Sequence, residues 1–155
     1  MRDSYALLKL ADQLRNAHEY FRWIDPPGRA QLAGWLRYGP RCVYCGKNMI
    51  ERWDSLFGPA HTDHLLPTKY KELDQDDSNL VLACCVCNLI KRDYDANREL
   101  PEQLRYVSGA HLTDEQHVEI LNLCRKEVAK RRVVQEGFIE GAISKWRALA
   151  LTASS

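Results

Sequence analysis

Apolar residues recur at helical spacing from about Ser4 to Trp23. Leu7, Leu8, Leu10, Ala11, Leu14, Ala17 and Phe21 share one face, which predicts an amphipathic helix. Asp25-Pro26-Pro27-Gly28 stops it, because proline and glycine together interrupt helical backbone. A second short helix is expected from Arg29 to Tyr38, carrying Leu32, Trp35 and Leu36, with Gly39-Pro40 as its end. The pattern then changes. His61 to Leu66 and Asn79 to Ala83 read as strands, separated by a polar loop from Thr68 to Ser78. Helical spacing resumes near Cys87 and runs through Leu89, Ile90 and Tyr94. Leu100-Pro101 marks a break. Thr113-Asp114-Glu115-Gln116 forms a capping box, and Val118, Ile120, Leu121, Cys124 and Val128 supply the apolar stripe of the helix it opens. Gly137 and Gly141 weaken the next segment and predict a separate last helix to about Leu151.

The chain divides into three regions: a helical extension over 1–40, a mixed centre over 41–97 and a helical region over 98–155. The class is α+β. At 155 residues the chain suits one compact domain or a small core with helical additions. Its 45% hydrophobic fraction supports a core, and its formal charge of +1 neither marks nor excludes a nucleic-acid binder. No apolar run is long enough to span a bilayer, and charges at Arg2, Asp3, Lys9 and Asp12 leave no room for a signal-peptide apolar region. No membrane is expected. The six cysteines are therefore read in a reducing, cytoplasmic compartment, where paired cysteines point to metal more than to disulfides.

Cys42-x-x-Cys45 and Cys84-x-x-Cys87 have the spacing of a four-thiolate zinc site. Each turn brings two sulfurs to one ion, and four thiolates close the tetrahedral shell, which excludes hydrolysis at the zinc itself. Cys85 replaces Cys84 only by abandoning that spacing, so it reads as a filler, and Cys124 reads as a helix core residue.

Between the pairs lies Ala60-His61-Thr62-Asp63-His64-Leu65-Leu66-Pro67. A purely structural zinc knot has no need of it. Asp63 offers a carboxylate to a hard divalent cation. His64 offers an imidazole, the side chain suited to accepting a proton from water. Asn88 supplies a neutral oxygen beside the last cysteine, and Asn79 is placed to fix an imidazole by hydrogen bonding. In a regular strand Asp63 and His64 face opposite sides, so both reach one site only where the strand bends or ends.

With these residues in this order the sequence resembles the HNH endonuclease family in its four-cysteine form. The resemblance rests on Cys42-Val43-Tyr44-Cys45-Gly46, Asp63-His64-Leu65-Leu66-Pro67, Asn79-Leu80-Val81-Leu82-Ala83-Cys84 and Cys87-Asn88-Leu89-Ile90-Lys91. It implies a small zinc-stapled ββα-metal core flanked by N- and C-terminal helices. It also implies hydrolysis of DNA phosphodiester bonds with one catalytic Mg²⁺ or Mn²⁺ beside the structural Zn²⁺. Asp63 and Asn88 would ligate the catalytic cation, His64 would be the general base, and Asn79 would orient its ring. The implied products carry a 5′-phosphate and a 3′-hydroxyl.

Two departures stand out. An acidic loop, Lys69 to Ser78, replaces the glycine-rich loop common in the family, and Arg92 stands where glycine is frequent.

Lys91 and Arg92 are expected to touch phosphate. His61 shares the strand face of Asp63, either as an auxiliary metal or phosphate contact or as a partly exposed strand histidine. Arg125, Lys126, Lys130, Arg131 and Arg132 form either a backbone-tracking stripe or a solvated helix face. The helical flanks either cover the core or dock a partner protein, and a double-strand cutter leaves a homodimer open. Two rival functions remain: a non-catalytic four-cysteine zinc module binding nucleic acid or protein, and the same chemistry directed at RNA.

Overall fold

The computed structural model describes residues 37–39, 41–49, 51, 60–109 and 111–152. The helix expected over 4–23 and most of that over 29–38 lie outside the described residues, as do His18, Trp23, Trp35 and Trp53. Arg37 and Tyr38 are helical, and Gly39 leaves the helix at φ 78°.

Two strands form an antiparallel pair, β1 (Ala60–His64) and β2 (Leu80–Cys84), with Asp63 opposite Val81 and His64 opposite Leu80. β1 stops two residues short of the predicted end, and β2 starts one residue later. All five residues of β2 are buried, as its unbroken apolar run requires. Side chains alternate across a strand, and here the alternation separates two cores. Val81 joins Leu65, Leu66, Leu73, Leu100, Ile120 and Leu121 on one side. Leu82 joins Met49, Ile90, Val128 and the cysteines on the other.

β2 runs directly into a helix, α1 (Cys85–Lys91). Cys84 serves as its N-cap, its sulfur accepting from Cys87 N at 3.4 Å. α1 packs on both strands, and a long helix, α2 (Asp114–Thr152), packs on α1. The capping box is formed. Gln116 N donates to Thr113 Oγ1 at 3.2 Å, and Thr113 N donates to Gln116 Oε1 at 3.0 Å.

Two expectations for α2 are corrected. Gly137 and Gly141 do not divide it: one helix of 39 residues runs through both. Each glycine costs about 1 kcal/mol relative to alanine, too little to end a helix among Glu, Lys, Arg and Ala. Val118 is half-exposed rather than part of the buried stripe; Ile120, Leu121, Cys124 and Val128 are buried, with His117 a turn earlier. The predicted polar loop holds a short 3-10 turn at Lys71–Leu73 that buries Leu73. Past the core, α2 exposes Val134, Phe138, Ile139 and Trp146. Among the described residues, no helix is long and apolar enough to cross a membrane.

Candidate metal centre and adjoining site

The knuckle from Cys42 to Cys45 folds back on itself through backbone bonds. Gly46 N donates to Cys42 O and Cys42 N to Lys47 O, both at 2.9 Å. Gly46 sits at φ 74°, a conformation that favours glycine. Val43 N donates to Leu82 O at 3.0 Å, which joins the knuckle to the sheet. Arg125 of α2 closes the other side, its Nε donating to Val43 O at 2.7 Å.

This geometry brings Cys42, Cys45, Cys84 and Cys87 together, with their sulfurs within 4.8 Å of one another. Cys45 Sγ and Cys84 Sγ are 3.8 Å apart. A tetrahedron with Zn–S bonds of about 2.3 Å has edges near that length, so the donor set fits zinc. Hydrogen bonds from the Cys42 and Cys87 thiols hold Cys84 well below the usual thiol range. A thiolate in the cluster is what a soft divalent cation requires. Cys85 stays outside, and Cys124 lies in the core with its sulfur against Leu65 O at 3.6 Å.

The residues of the second constellation occupy the end of β1, the loop after it and α1. Asp63 turns inward and is 6% exposed. Tyr44 donates its hydroxyl to Asp63 Oδ2 at 2.5 Å. The Lys91 ammonium lies 3.4 Å from Oδ2 and 3.5 Å from Oδ1. Burial raises the Asp63 carboxyl above its ordinary value, opposed by the Lys91 charge and the Tyr44 hydrogen bond. Burial also pushes the Tyr44 phenol well up, reinforced by the Asp63 charge, so the hydroxyl stays protonated and donates.

His64 is the last residue of β1, and its ring leaves on the other side. Its Nε2 lies 2.8 Å from Asp74 O and 3.4 Å from Asp74 Oδ1. A carbonyl only accepts, so Nε2 carries the proton and Nδ1 holds the lone pair of the neutral ring. The strand ends at this residue, yet the Asp63 carboxylate and the His64 ring still leave on opposite sides, and the partner of Asn88 is His61; Lys91 Nζ holds the His64 carbonyl at 2.6 Å.

Three assignments read differently in the structure. Asn79 does not touch the His64 ring. Its Oδ1 accepts from Leu66 N at 2.8 Å, and its Nδ2 donates to Leu66 O at 3.1 Å and Leu73 O at 3.3 Å. The amide thereby pins the loop that carries Asp74, and Asp74 holds the ring. Lys91 does not face solvent; it is 1% exposed, because its stem packs inside the core while its ammonium meets Asp63 and His64. Arg125 and Arg131 of the basic stretch serve structure as well. Arg131 donates to Glu127, to Ile90 O at 3.2 Å and to Lys91 O at 2.9 Å, closing the C-terminal end of α1.

Asn88 and His61 meet at the surface, with Asn88 Nδ2 3.3 Å from His61 Nδ1. Arg92 is exposed and adopts φ 50° with ψ −129°. That backbone favours glycine, so the Arg92 side chain stands at a strained position.

Tyr44 and Asp74 are the residues that sequence reasoning missed. Tyr44 lies inside the first cysteine pair and Asp74 inside a loop read only for its acidity. No periodicity marks either contact.

The HNH endonuclease family model matches residues 42–93, a span that holds the four clustered cysteines, Asp63-His64 and Asn88. No curated protein and no solved structure matches the chain. The family match covers the 42–93 segment alone, in which four cysteines are positioned to form a metal site, and the family it matches is generally one of nucleases.

Proposed function

We propose that the segment is a metal-dependent endonuclease acting on DNA, with His64 as general base. The observation that carries this reading is the commitment of His64 Nε2 to the Asp74 carbonyl at 2.8 Å. It leaves Nδ1 as the basic nitrogen of a partly exposed ring, one residue from the Asp63 carboxylate. In the reaction, Nδ1 takes a proton from water as the water oxygen bonds to phosphorus. The bond from phosphorus to the 3′-oxygen then breaks, leaving a 5′-phosphate and, after protonation from solvent, a 3′-hydroxyl.

The Asp63 carboxylate and the Asn88 amide carbonyl would hold the catalytic Mg²⁺ or Mn²⁺. Both are oxygen donors, as a hard cation requires, and a carboxylate keeps lone pairs beyond those that Tyr44 and Lys91 use. A cation bound there supplies neutralising charge to the scissile phosphate and the leaving oxygen. Asn79 contributes by fixing the loop that orients His64. Arg92 and His61, both exposed, would contact the phosphate. Cys42, Cys45, Cys84 and Cys87 would hold structural Zn²⁺.

The test is cleavage of single- and double-stranded DNA and of RNA by the zinc-loaded protein, with and without Mg²⁺ or Mn²⁺. DNA cleavage that needs the added cation is expected. His64→Ala should remove it while zinc content and thermal stability stay at wild-type values. Cleavage at the wild-type rate by that variant ends the assignment of the base. Cleavage of RNA alone redirects the substrate, and binding without cleavage favours a zinc module.

A further inference from the structure

We infer that Tyr44 is a positioning residue for the Asp63 carboxylate, through which the zinc knuckle sets the geometry of the catalytic cation site. The inference rests on the reading of Asp63 as a ligand to that cation.

Tyr44 belongs to the first cysteine turn, between Val43 and Cys45, so its backbone is placed by the Val43–Leu82 and Arg125–Val43 bonds, and zinc on the clustered cysteines would hold it further. Its ring packs against both hydrophobic clusters, which fixes where the hydroxyl can reach. That hydroxyl meets Asp63 Oδ2 at 2.5 Å, while Lys91 approaches both carboxylate oxygens from 3.4 to 3.5 Å. The two donors divide the carboxylate between them. Tyr44 directs one oxygen, and Lys91 neutralises the charge without a short bond to either. Without the phenol, Oδ2 loses its one short hydrogen bond, and only the longer Lys91 contacts at 3.4 and 3.5 Å are left to set the carboxylate plane. Hydrogen bonds to a ligating carboxylate act in this way on metal affinity, and losing one costs about ten- to a hundredfold.

The alternative role for Tyr44 is packing alone, which its ring would serve equally well as phenylalanine. Tyr44→Phe separates the two. The direct readout is Mn²⁺ binding to the zinc-loaded full chain, followed by the electron-spin resonance of free Mn²⁺, for wild type, Asp63→Ala and Tyr44→Phe. We expect Tyr44→Phe to keep its zinc and to bind Mn²⁺ about tenfold or more weakly. Its DNA cleavage should recover towards the wild-type rate at saturating Mn²⁺, a rescue that a damaged fold would not show. Equal Mn²⁺ affinity in wild type and Tyr44→Phe overturns the positioning role and leaves the nuclease reading in place. A wild type that binds no more Mn²⁺ than Asp63→Ala overturns the ligand assignment, and the positioning role with it.

A second measurement needs no variant to fold. In wild-type protein labelled with ¹³C-tyrosine, saturating Mg²⁺ should shift the Tyr44 Cζ resonance, since the phenol donates to the ligating carboxylate. An unmoved resonance under Mg²⁺ overturns the inference independently.

Discussion

Asn79 and Leu66 face each other across the turn between the strands in a two-point amide pairing. Asn79 Oδ1 accepts from Leu66 N at 2.8 Å, and Asn79 Nδ2 donates to Leu66 O at 3.1 Å. A third bond reaches Leu73 O at 3.3 Å. Both residues are buried, so the pairing mimics a backbone ladder where the loop has none. It holds the loop whose Asp74 carbonyl meets His64. Asn79→Ala leaves Leu66 N and Leu73 O without these partners in the interior. A loss of about 3 kcal/mol is expected from the cost of unsatisfied buried groups. Urea denaturation should show it, and DNA cleavage should fall further than stability alone predicts because the His64 ring loses its anchor.

The zinc ligands should behave as a fold requirement. Cys87 is fully buried in the second core, beside Ile90 and Val128. Cys87→Ser or Cys42→Ser removes one of the four clustered sulfurs that would close a zinc shell. Structural zinc in small domains contributes on the order of 10 kcal/mol to folding. We expect each variant to purify without zinc and to lose the cooperative thermal transition, measured by metal analysis and calorimetry on the same samples. Cys85→Ser, outside the cluster, should keep both.

Arg92 sits at φ 50° immediately after α1, in backbone that costs a side-chain-bearing residue about 1–3 kcal/mol. Arg92→Gly should therefore raise stability by about 1 kcal/mol. The same change removes an exposed cation next to the candidate site, so DNA affinity should drop and its salt dependence should become shallower. Thermal melts and binding titrations at two salt concentrations give opposite signs for the two effects. A variant that gains nothing in stability contradicts the strain.

His117 supplies a pH dependence. Its Nδ1 donates to Ser78 O at 2.5 Å, its ring stacks on Tyr38, and Nε2 is buried without a partner. Burial holds its pKa below the ordinary 6.5, with the Arg37 charge acting in the same direction. The unfolded chain then binds a proton at a pH where the folded chain does not. Stability from this group is complete above about pH 6.5 and is lost as pH falls below that value towards the depressed folded pKa. Melting temperatures from pH 7.5 to 5.5, with zinc content followed in parallel, should decline in wild type. His117→Gln, which keeps a donor for Ser78 and does not titrate, should decline less.

Much of the centre was legible because it is written in short-range spacing. Cys-x-x-Cys names a metal turn whatever surrounds it, Thr113 to Gln116 names a helix start, and the run Leu80 to Ala83 names a buried strand. These signals depend on residues within a few positions of one another, and the structure keeps them. Gly137 and Gly141 misled for the complementary reason: a local propensity of about 1 kcal/mol is weak beside the cooperativity of a long helix.

The order of amino acids was enough to specify the four cysteines that cluster and the succession strand, strand, helix. How the polar side chains pair was settled only by folding. It turned Lys91 inward onto Asp63 and His64, gave Asn79 to the Leu66 backbone, handed the His64 ring to Asp74 and set the Tyr44 hydroxyl on Asp63. Tyr44 meets Asp63 across 19 residues and Lys91 meets it across 28. Such partners are chosen by which buried polar groups would otherwise go unpaired once the two cores close. That condition exists only in the folded chain.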